Sequence, residues 1–75
     1  MAIKTFNLNV VEDLHEFGKQ EQLRAVFLMF EKEMKEGNTL LFQRRFMNAE
    51  AENVIELSTI EELILFSKRF LPVLQ

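Results

Sequence analysis

The chain contains no cysteine, tryptophan or tyrosine, only two glycines, one proline and one histidine. Without cysteine there is no disulfide framework, no thiolate metal site and no cysteine nucleophile. Gly18 and Gly37 stand apart, so no glycine-rich loop can cradle a phosphate. Ser58 and Ser67 are the only serines, and neither sits in a nucleophile elbow. Long apolar runs are missing too. The longest, Ala25 to Phe30, is far short of the roughly 20 residues a membrane span needs. In Met1 to Val11, Asn7 and Asn9 interrupt the apolar residues, so no signal-peptide core forms there. A cytoplasmic protein is the expectation.

What remains is 75 residues, 48% hydrophobic and 28% charged, with eight phenylalanines and a net charge of −3. That balance fits one folded domain spanning residues 1–75, not a disordered chain. Acids and bases are interspersed throughout, with neither a basic arm nor an acidic tail. The global charge therefore argues against nucleic acid as the main partner.

Phe6, Leu8 and Val10 alternate with Asn7 and Asn9, which predicts a strand over Ala2 to Val11. Leu14 and Phe17 fit either a helical turn or a loop pinned to the core. Leu23, Val26, Phe27, Phe30 and Met34 form a stripe roughly 100° wide, which predicts a helix over Gln20 to Glu36. Carried back on that helix, Leu14 and Phe17 fall on the opposite side, so a break is expected near Gly18. Gly37-Asn38 suits a left-handed C-cap. Thr39 to Met47 and Asn53 to Ser58 read as a hairpin. The alternative is a helix through Phe42, Phe46 and Ala49, which would make the protein a small all-α bundle.

Ser58-Thr59-Ile60-Glu61 matches a capping box and opens a last helix running to about Phe70, before Pro72. Its face of Ile60, Leu63, Ile64, Phe66, Phe70 and Leu71 is roughly 160° wide. The expected fold is an α+β domain of order β-α-β-β-α, a three-stranded antiparallel sheet with two helices on one face. Residues 53–63, a β-prone run leading into a capped helix, are similar to a generic pattern of small α+β proteins. Short accessory proteins of phages and mobile elements are among these, and the likeness implies no specific site.

Three sets of residues invite functional readings. Asp13, His15 and Glu16 resemble a ligand cluster, but a zinc-protease helix needs a second histidine where Lys19 stands. No metal, cofactor or catalytic residue is therefore expected, and the protein is read as a non-enzyme. Phe42, Arg44, Arg45 and Phe46 alternate aromatic and cationic side chains, a pattern that on an open sheet stacks bases and holds phosphates. They carry the alternative function, a single-stranded nucleic-acid or nucleotide-binding module.

Finally, Leu28, Met29 and Leu65 fall off the buried stripes, with Glu62 and Arg69 beside Leu65. An apolar centre rimmed by charge is interface anatomy. The favoured expectation is a small interaction module that binds a larger protein as inhibitor or adaptor, makes contact through Leu28, Met29, Glu62, Leu65 and Arg69, and self-associates.

Overall fold

The computed structural model describes residues 2–45 and 52–71. They form β1 (Ile3–Asn7), α1 (Leu8–Glu16), α2 (Gln20–Lys35), β2 (Thr39–Arg44), β3 (Glu52–Leu57) and α3 (Ile60–Ser67). The α+β class holds, and the pairing of β2 with β3 removes the all-α alternative. The sheet order is β1-β2-β3, with β2 in the centre.

The sheet is mixed rather than antiparallel. β2 and β3 are antiparallel, but β1 and β2 are parallel, with Phe6 opposite Phe42. The cause is the connection between β1 and β2. A crossover through a helix carries the chain back to the end of the sheet where β1 began, so the next strand runs the same way. The 16 residues of α2 rise about 24 Å, enough for that return.

The first strand is shorter than the alternation predicts, and a third helix takes its second half. Asn7 ends β1 and caps α1, its side-chain oxygen accepting from the Asn9 N–H at 2.8 Å. Leu8 and Val11 then share one helical face and are both buried, while Val10 is exposed. The Leu8–Val11 spacing is helical, and Asn at the cap position satisfies an otherwise orphaned N–H. The break before α2 comes where expected, at Gly18. Gly18 takes φ +70°, and the Lys19 N–H closes the turn on the Leu14 carbonyl at 2.8 Å. Gly37, at φ +89°, ends α2 in the same left-handed conformation, which costs an L side chain roughly 1–2 kcal/mol.

α3 starts one residue later than the Ser58 cap predicts. Thr59 is the cap and Glu62 its reciprocal partner. In this register one carboxylate oxygen of Glu62 accepts from the Ser58 N–H at 2.9 Å and the Thr59 N–H at 3.0 Å. The helix itself ends at Ser67 rather than Phe70. Phe70 and Leu71 continue as a turn, both N–H groups donating to the Ser67 carbonyl. Pro72, Val73 and residues 46–51 between β2 and β3 lie outside the described residues.

All three helices pack on one face of the sheet. On β2, Leu40 and Phe42 are buried against them, whereas Thr39, Leu41 and Gln43 point to the uncovered face. Phe42 is wholly buried. Its ring contacts Phe6, Phe30 and Phe66 at centroid distances of 5.9, 5.0 and 5.0 Å. Phe27 and Phe70 extend the network, with Phe27 5.4 Å from Phe30 and Phe70 5.2 Å from Phe66.

Truncating a buried phenylalanine costs about 3–5 kcal/mol, comparable to the whole stability a core of this size supplies. Phe42→Ala is therefore expected to leave the chain largely unfolded in urea titration followed by far-UV circular dichroism. Phe17, 70% exposed, is the internal control, and its change to Ala is expected to shift stability by no more than about 0.5 kcal/mol.

Candidate interaction surface

The five residues expected at an interface do not form one patch. A shallow concavity between α3 and β3 is lined by Glu62, Leu65 and Arg69 together with Ile55, Glu56, Leu57 and Phe66. Leu28 belongs to a different groove, between α2 and α3. That groove is lined by Arg24, Phe27, Leu28 and Glu31 of α2, by Leu63, Ile64 and Ser67 of α3, and by Leu71. Met29 lines neither.

Helix geometry explains the split. α3 turns its buried Leu63 and Phe66 to the core, and consecutive residues Ile64 and Leu65 step 100° apart on the side away from it. One therefore faces the α2 side and the other the β3 side. Ile64 was expected in the buried face and is instead 49% exposed. A helix this short touches its neighbours along a narrower arc than its apolar residues occupy. The structure thus pairs Leu28, 66% exposed, with Ile64 rather than Leu65.

The groove is apolar in its floor and nearly spent in its polar groups. Ser67 donates its hydroxyl to the Ile64 carbonyl at 2.7 Å. Glu31 is paired with Lys35 at 3.3 Å. The cavity volume of about 210 Å³ is below the range that encloses small-molecule ligands and suits inserted side chains.

The aromatic–cationic segment is dispersed. Phe42 lies in the core and presents no face on which a base can stack. Arg44 points to the helical face of the sheet and makes a forked ion pair with Glu12 of α1, its Nε donating to Oε1 at 3.2 Å and its Nη2 to Oε2. Arg45 is exposed, and its backbone N–H is held by the Asn9 side chain at 3.1 Å. Phe46 lies outside the described residues. A one-sided sheet claims alternate residues for the core, and Phe42 is on the claimed face.

Asp13, His15 and Glu16 sit at the end of α1. His15 Nδ1 donates to the Phe70 carbonyl at 2.9 Å, and the two rings meet edge-on at 5.6 Å. The histidine thereby ties α1 to the turn after α3. Among the described residues no three potential metal ligands cluster. No helix among them is long and apolar enough to cross a membrane. No protein family, characterised protein or solved structure matches the chain.

The cap also alters the ionisation of Glu62. Chiefly the Ser58 N–H, with the Thr59 N–H and hydroxyl, holds its carboxyl below the ordinary value of 4.5. These donors favour the ionised form. A depressed folded value means the stabilisation is complete above pH 4.5 and is lost as pH falls through the folded value. Glutamine keeps the cap geometry without the charge. The difference in melting temperature between the native chain and Glu62→Gln is therefore expected to shrink as pH drops below 4.5. A difference independent of pH would contradict this account of the cap.

Proposed function

We propose that this protein is a small non-enzymatic interaction module that docks onto a larger protein as an inhibitor or adaptor, using the groove between α2 and α3. The observation that supports the reading is the pairing of Leu28 and Ile64. Two large aliphatic side chains from different helices stand exposed beside one apolar cleft. Leaving such a cleft in water forgoes the hydrophobic gain of covering it. Its lining offers no nucleophile with an adjacent base, which supports a binding role rather than a catalytic one.

The test is affinity capture with mass spectrometry on the native chain and three variants. Leu28→Glu and Ile64→Glu are each expected to lose a partner that Leu65→Glu keeps. All three sites are exposed, so the variants are expected to fold, which circular dichroism checks. If the groove variants retain every captured protein, the groove is not the docking site.

Self-association belongs to the same proposal but to another surface. The uncovered sheet face carries Ile3 and Val54, both exposed, around half-buried Leu41. Small domains gain stability by covering such faces through oligomerisation. Sedimentation equilibrium is expected to show a dimer that Val54→Lys weakens. A monomer across the concentration series would remove self-association.

A further inference from the structure

The apolar groove does not end at Leu71. It shares Arg24 and Leu71 with a second concavity, whose titratable lining is His15, Arg24, Lys68 and Arg69, with no carboxylate among them. These side chains come from three separate places in the chain: the end of α1, the first half of α2, and the turn after α3. The His15–Phe70 hydrogen bond fixes the wall between the first and the last of these. Arg24, Lys68 and Arg69 make no ion pair among the described residues. The chain has 12 acidic side chains against 9 Lys and Arg, so acids to neutralise these cations were not scarce.

Lys68 and Arg69 complement the negative end of α3, which gives them a local structural role. Arg24 has no such role toward α3, yet it lines the same concavity as Lys68 and Arg69. Gathering like charges around a hollow is unfavourable in the free protein and favours an anionic occupant. Gln20 adds a buried side-chain oxygen with no hydrogen-bond donor among the described residues.

We propose that the groove and its cationic end form one binding site for an acidic segment of another protein. An aliphatic side chain of that segment enters between Leu28 and Ile64, and adjacent carboxylates meet Arg24, Lys68 and Arg69. The inference rests on the docking reading above and specifies the chemistry of the partner. Nucleic acid fits the site less well. Phe27 is buried, and the Phe70 ring is engaged by His15, Phe27 and Phe66, so no ring face is free to stack a base.

The experiment uses fluorescence anisotropy with a short labelled peptide of glutamates interrupted by two leucines. Three comparison probes are the same peptide with Lys for Glu, the same peptide with Ser for Leu, and an oligothymidine. The Glu/Leu peptide is expected to bind about tenfold more tightly than any of the three, with an affinity that falls as salt rises. Lys68→Glu with Arg69→Glu is expected to weaken it about tenfold and flatten the salt dependence. Ile64→Glu is expected to weaken it similarly while the salt dependence persists.

Equal binding of the Lys peptide, or tighter binding of oligothymidine, overturns the proposal. So does peptide binding that Ile64→Glu leaves unchanged, or a native dimer that Ile64→Glu dissociates, since the groove's occupant would then be a second copy. If the acidic peptide fails to bind while cellular capture still depends on Leu28 and Ile64, the partner's acidity is wrong and docking stands. If capture does not depend on those residues either, the docking reading itself falls.

Discussion

The phenylalanine network centred on Phe42 is the constraint on which the rest of the structure depends. Phe42 stands on the middle strand, the one element that pairs with both others. Its neighbours Phe6, Phe30 and Phe66 belong to β1, α2 and α3. One ring therefore fixes the relative position of four elements in a chain too short to hold them by area alone. Edge-on and tilted ring contacts give such a core a preferred geometry as well as burial. Phe27 and Phe70 carry the same network outward, and both line the proposed binding surface.

That network also explains why the surface exists. Three helices crowd one face of a three-stranded sheet, and each can turn only a narrow stripe to the core. Leu63 and Phe66 satisfy α3; Ile64 and Leu65, between them, are left at its flanks. Leu23, Phe27, Phe30 and Met34 satisfy α2, and Leu28 is left at its flank. Exposed aliphatics are the geometric remainder of packing apolar-rich helices on a small sheet. What distinguishes Leu28 and Ile64 from Leu65 is that they meet across one groove.

Features that depend on a few neighbouring residues were legible in the sequence. The stripe of α2, the breaks at Gly18 and Gly37 and the opening of α3 by a hydroxyl with a following glutamate all follow from local geometry. The cap was misplaced by one residue because Ser58 and Thr59 each have a glutamate three positions on. β1 was overextended because Phe6, Leu8 and Val10 alternate like a strand, while Leu8 and Val11 also lie one helical step apart. Periodicity alone does not choose between them, and Asn7 decides by capping.

Strand direction was legible only through the crossover, which the one-helix connection already implied. The flank of α3 that faces α2 was not legible at all. Nor was the meeting of His15, Arg24, Lys68 and Arg69, which are up to 54 positions apart in the chain and converge only after packing.

A cationic hollow on an acidic protein has a particular electrostatic consequence. At physiological ionic strength fields fade over about 8 Å. An acidic partner at long range meets a net charge of −3 that salt has largely screened. At contact it meets Arg24, Lys68 and Arg69, none of which is in an ion pair among the described residues. In the proposed complex, attraction would act chiefly at the site itself. Such an arrangement contributes little to the rate of encounter and much to where the partner settles. The aliphatic groove then supplies the part of binding that salt does not screen. In the proposed complex, charge would select the orientation and apolar burial would hold it.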